Sequence, residues 1–257
     1  MKIQAQAVYA TQGAPLRSQI ERLLAAAPKE EVFGIVHSVI VPDSNLLAGG
    51  PVSAGIFGAI RNEHYENVIV VSPSHAGEFE RINVCSLDRY QTPLGEVPVS
   101  AELRDELCDE DDDIFVGDEG HFHPHGIDVQ LPFLQTVLGD FSVVPIVMGA
   151  ESPDLCRELG HAIGEIMYNR ATLVVACADI AEATEESMAE LSALLEAKDV
   201  SGLMQYMNSS AIQVDGKGAV LVALIAALHR RATNIRITAM TNPEANAPGF
   251  IGALIST

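Results

Sequence analysis

The sequence predicts an α/β fold of three layers, αβα, with helices on both faces of a mostly parallel central sheet. Three observations carry that expectation. Continuous apolar, β-branched runs such as Val68-Ile69-Val70-Val71 recur along the chain, and strands buried on both faces read this way rather than alternating. Amphipathic or wholly apolar segments of helical length separate them. The 257 residues, 48% of them hydrophobic, can bury a large core without disulfides or a structural metal. No internal repeat or linker-like stretch interrupts them, so one domain over 1–257 is expected.

Taken in order, residues 32–42 (VFGIVHSVIVP) read as a strand, 50–62 as a helix with apolar Ile56 and Ile60, and 67–73 as a second buried strand. Residues 81–87 and 95–99 read as short extended pieces or a hairpin around Pro93 and Gly95. Helices are expected over 101–108 and 128–138, the second with Pro132 in its first turns, where it is tolerated. Residues 141–148 (FSVVPIVM) form a strand whose Pro145 argues for an edge or a bulge. A helix over 152–168 opens on Ser152-Pro153, and 171–178 is a further strand. Helices over 185–197, 200–208 and 218–231 precede two closing strands, 234–240 and 250–255, joined by the turn-rich NPEANAPG.

Composition excludes some functions. The formal charge of −20 and the lack of a clustered Lys/Arg stripe disfavour nucleic acid. Residues 101–120 alone hold ten acids and one arginine, a pattern that fits a solvated helix end and loop or a cation-attracting rim. No apolar run is long enough to span a bilayer. Met1-Lys2 is followed by polar Gln4 and Gln6 rather than an apolar h-region. Cys85, Cys108, Cys156 and Cys177 are widely spaced, with no CxxC pair, and read as reduced thiols. A cytoplasmic protein without a membrane partner is expected, its oligomeric state unread.

Three strands run into polar residues: SVIVP into Asp43, VIVVSP into Ser74 and His75, and LVVACA into Asp179. The carboxyl ends of parallel strands line one crevice, where such folds place ligands. Each residue also fits a structural role, since an aspartate after a strand is commonly the N-cap of the next helix and a loop histidine is commonly packed. His121-Phe-His123-Pro-His125 places imidazoles two apart on an extended chain, able to chelate a metal or to be a surface loop. In QVDGKG (213–218) Asp215 could cap the apolar helix that follows, and Gly216 and Gly218 could admit an anion to backbone N–H groups. Neither a P-loop, a GxSxG nor a dinucleotide GxGxxG is present. His37, His64, His161 and His229 read as structural, His229 favourably placed at a helix C-terminus.

In motif order and spacing the chain resembles the Memo family, the B component of the AmmeMemoRadiSam group. The likenesses are Ala7-Val8-Tyr9, Pro42-Asp43-Ser44-Asn45-Leu46 with Gly50 and Ala54, and Pro73-Ser74-His75. Tyr90, Thr92-Pro93-Leu94, His125-Gly126-Ile127-Asp128, Leu131-Pro132, Ala178-Asp179 and Gly252-Ala253-Leu254 follow. The resemblance implies a fold shared with the class III extradiol (LigB-like) non-heme iron dioxygenases and a metal-capable pocket. By that resemblance His75, Asp43 and Asp215 stand where metal ligands gather, and His125, Asp179 and Glu182 at catalytic positions. Asp43 and Glu182 replace histidines of the family pattern, and Asp215 replaces a cysteine. Carboxylate donors suit a hard divalent cation such as Mn²⁺ or Fe²⁺, while Lys217 could instead neutralise a metal-free pocket. Two functions follow as expectations: a metal-dependent enzyme of the dioxygenase-like superfamily acting on a small molecule, or a non-catalytic adaptor that binds a ligand or peptide.

Overall fold

Four adjacent strands with buried, β-branched sequences run parallel at the centre of the molecule. The computed structural model describes residues 12–77, 79–108, 113–122, 126–245 and 247–257. The chain begins with α1 (Gly13–Ala26), β1 (Val36–Val41), α2 (Gly50–Ala59) and β2 (Asn67–Pro73). It continues through β3 (Ile82–Val84), the hairpin β4 (Arg89–Thr92) and β5 (Gly95–Pro98), α3 (Ala101–Leu107) and β6 (Ile114–Val116). Next come α4 (Gly126–Val137), β7 (Ser142–Met148), α5 (Pro153–Ile166), β8 (Thr172–Cys177) and β9 (Asp179–Glu182). The last elements are α6 (Glu185–Ala197), α7 (Val200–Met207), β10 (Gln213–Asp215), α8 (Lys217–His229), β11 (Asn234–Thr241) and β12 (Phe250–Ser256).

The main sheet has eight strands in the order β11-β12-β1-β8-β2-β7-β3-β6. Four of its seven pairings are parallel (β1–β8, β8–β2, β2–β7, β3–β6) and three antiparallel. The period of two along a strand sends alternate side chains to opposite faces. On β2, Ile69 and Val71 join the core under α5 and α8, and Val68 and Val70 join the core under α1, α2 and α4. Both faces are therefore covered, as the sequence predicts. The α8 helix is apolar all round because it is enclosed, with Gly218 through Ala227 buried. Each such side chain of Val, Leu or Ile size contributes roughly 1.5–3 kcal/mol.

Two expectations about proline are corrected. Pro145 is not at an edge, since β7 lies between β2 and β3. A strand residue sends its N–H and C=O to the same side, and the Pro145 carbonyl accepts from Cys85 N–H at 3.0 Å. The missing donor thus faces the end of the three-residue β3, and no bond to β2 is lost. Pro132 lies inside α4 rather than in its first turns, because the helix begins at Gly126. Among the described residues no helix is long and apolar enough to cross a membrane, and all four cysteines are free thiols. In the acidic stretch Glu102, Asp105 and Glu106 are exposed, and Arg170 bridges Glu102 and Glu106. Residues 109–112 lie outside the described residues.

Candidate functional site

The parallel strands β1, β8, β2 and β7 end at one edge of the sheet, and each delivers a polar residue there. Asp43 follows β1, Asp179 follows β8, His75 follows β2 and Glu151 follows β7. The first three are the strand-end residues expected to share a rim, and the structure brings them together. Asp43 Oδ1 accepts from the Ser72 hydroxyl at 2.8 Å and from Gly126 N–H at 2.9 Å, and its Oδ2 is hydrogen-bonded to His75 Nε2. Asp179 Oδ1 accepts from the N–H groups of Asp43 at 3.0 Å and Ser44 at 3.3 Å, and its Oδ2 accepts from the Ser44 hydroxyl. Neither aspartate caps a helix: Gly49 precedes α2 and Thr184 caps α6.

These contacts set the protonation of the rim. The Asp43 hydrogen bond raises the pKa of His75 against the opposing effect of burial, and the charges of Asp43, Asp215 and Asp179 raise it further. Asp179 is pushed up to about 6 by burial, against the hydrogen bonds that favour its ionised form. Asp43 is almost enclosed, its side chain 4% exposed, whereas His75 is 43% exposed and lines a cleft. His75 Nδ1 has no partner among the described residues.

Asp215 reaches the same region by a different route. β10 pairs antiparallel with β9, setting Asp215 opposite Asp179. Asp215 does not cap α8. The N-cap is Gly216, in the left-handed region at φ +85°, where a Cβ would collide with the Cys177 carbonyl oxygen. The anion that meets the α8 N-terminus is Glu151, whose Oε1 accepts from Gly218 N–H at 3.0 Å. Burial still pushes Glu151 up to about 7. His75, Glu151, Asp215, Lys217 and Phe79 line a cleft of about 810 Å³. Sequence reasoning missed Glu151, although it too follows an apolar strand within three residues.

The remaining expected residues lie elsewhere. Glu182, at the far end of β9, lines a neighbouring cavity of about 590 Å³ with Thr184 and Asn208. The Lys217 ammonium donates to Asn208 Oδ1 at 2.7 Å rather than to Asp43 or Asp215, and its charge acts on Glu151 of the same cleft. His121 is buried, its Nε2 bonded to the Asn83 carbonyl at 3.1 Å, so it is a packed histidine rather than a surface ligand. His123 and His125, and with them the catalytic position implied for His125, lie outside the described residues. Among the described residues no group of three His, Cys, Asp or Glu side chains is arranged to hold a metal ion. Asp43 has both oxygens engaged and His75 Nε2 faces one of them, so the described donors do not fit the implied metal.

Comparison with known proteins shows the family to which this chain belongs. The profile of the Memo family, described as Memo-like protein, matches residues 2–246, and the chain belongs to that family. Among its relatives, a MEMO1 family protein of Thermotoga neapolitana is 30% identical over 193 residues, 72% of this chain and 70% of that protein. Another, from Nitrosopumilus maritimus, is 27% identical over 197 residues, 74% of this chain and 72% of that one. The crystal structure of an uncharacterized protein from Escherichia coli K12 shares the fold, with TM-score 0.59 and 14% identity over 86% of this chain and all of that one.

Proposed function

We propose that this Memo-family protein binds a small molecule in the strand-end cleft, and that His75 is the group that gives the ligand a hydrogen bond or a proton. The Asp43–His75 pair carries the reading. Asp43 is held from behind by Ser72 and Gly126, so it fixes the ring through Nε2 and favours the imidazolium. That leaves Nδ1–H on a half-exposed ring at the cleft wall, the arrangement a general acid requires. As an acid, His75 gives its Nδ1 proton to a leaving atom of the ligand, and Asp43 keeps the neutral ring in the Nε2–H tautomer. In a non-catalytic adaptor the same N–H is a fixed donor, and turnover alone separates the two roles.

The test has two parts. The His75 ring is titrated by NMR in wild type and in Asp43→Asn, where its pKa should fall because the amide cannot stabilise the imidazolium. Small molecules that raise the melting temperature should lose that effect in His75→Ala. An unmoved titration, or ligands indifferent to His75, would sink the proposal.

A further inference from the structure

We propose that the ligand of this cleft carries a protonated amine, received by Glu151 and Asp215, while His75 meets another part of the same molecule. The inference rests on the reading of the cleft as a small-molecule site. Two carboxylates in the wall, Glu151 and Asp215, make no ion pair among the described residues. Glu151 Oε1 takes Gly218 N–H, but its Oε2 has no partner among the described residues, and the Asp215 carboxylate has none. The two cations of the wall make their hydrogen bonds elsewhere, His75 Nε2 to Asp43 and the Lys217 ammonium to Asn208, and act on these carboxylates through charge alone.

A mostly buried carboxylate with a free oxygen is costly unless positive charge joins it. The charge of Lys217 favours the ionised form of Glu151, yet burial still leaves that carboxyl raised to about 7, so the compensation is incomplete. An ammonium needs only two or three acceptors, which Glu151 Oε2 and Asp215 can supply. A metal ion demands a convergent donor set that the described residues do not form.

Another part of the wall suits the carbon portion of such a ligand. Phe79 lies against Gly149, where any Cβ would collide with the ring, and against Gly120, whose Cβ would sit 3.4 Å from it. These two glycines leave room for the ring, and Phe79 and Met148 both line the cleft, giving it apolar surface as well as carboxylates. Aromatic faces also attract ammonium groups. The volume, about 810 Å³, is in the range of small-molecule sites.

Isothermal titration at pH 8 compares 2-phenylethylamine with 3-phenylpropionate, a ring of similar reach but opposite charge. The amine should bind saturably and at least about tenfold more tightly, an effect of one ion-pair-sized contact. Glu151→Gln and Asp215→Asn should each weaken it about tenfold or more, and Asp154→Asn, at an exposed position of α5, should leave it unchanged. Equal or tighter binding of the carboxylate overturns the inference, as does amine binding untouched by both variants. Mn²⁺ that displaces the amine through these two carboxylates overturns it in favour of the metal. Ligands that need His75 but are neutral or anionic overturn the amine while leaving the cleft reading intact. If nothing small binds, both fall.

Discussion

Replacing Glu151 by glutamine should make the protein more stable at pH 8, the opposite of what loss of a helix cap would do. The wild-type carboxyl has its pKa raised from 4.5 to about 7, chiefly by burial, against the favourable effects of Gly218 N–H and Lys217; Asp215 and Asp43 add to the rise. A raised carboxyl contributes stability that is present below its unfolded pKa and lost as pH rises through the folded one. Above pH 7 the wild type therefore carries a cost on the order of 3 kcal/mol relative to the protonated acid, at about 1.4 kcal/mol per pH unit. Glutamine has no charge to desolvate and its oxygen can still accept from Gly218, so roughly 1–3 kcal/mol should be recovered. Near pH 5 the two proteins should differ by about 0.8 kcal/mol or less on the same linkage. Urea unfolding at both pH values measures the difference, and the pH-dependent part belonging to His75 cancels between the proteins. A variant less stable at pH 8, or a difference equal at both pH values, refutes the reasoning.

Asp179→Ala strands the N–H groups of Asp43 and Ser44, which should cost about 2–4 kcal/mol; Asp179→Asn, which keeps an acceptor, should cost less, and denaturant midpoints rank them. Gly216→Ala forces a left-handed alanine into the Cys177 carbonyl and should destabilise by about 2 kcal/mol or more. Differential scanning calorimetry reads that loss, and an unchanged melting temperature would mean the turn can relax. The exposed acids of 101–120 should give no fluorescence-anisotropy signal with duplex DNA even at low salt; salt-sensitive micromolar binding would contradict the reading of the charge.

The legible parts of the fold were those whose pattern is local. Asn67–Pro73 and Glu185–Ala197 appear with the expected bounds, because a doubly buried strand and an amphipathic helix each carry their own period. The three-residue strands β6 and β10 and the four-residue β9 were not legible, because their pairing is decided by distant partners. Helix α1 was missed although Leu16, Ile20 and Leu24 recur at helical spacing and are buried; its N-cap, Gln12, makes no side-chain cap bond that would have marked the start. At the site, the positions of Asp43, His75 and Asp179 followed from strand ends alone. Their contacts did not, since the partners Ser72 and Gly126 come from other segments. Glu151 carried the same strand-end signal, but two small residues, Gly149 and Ala150, separate it from β7 and masked it.

The seat of Asp43 ties two positions 83 residues apart. Gly126 offers its N–H to the carboxylate and has no side chain, because a Cβ there would run into Asp43 Oδ1 and the Cys177 side chain. Neither position can change freely. A larger residue at 126 would push the residue at 43 out of its pocket and turn the ring of His75 with it. A longer residue at 43 would press on the start of α4. The two positions should therefore vary as a pair among relatives, and an unusual residue at 126 would betray a different rim chemistry even where 43 itself gives no hint.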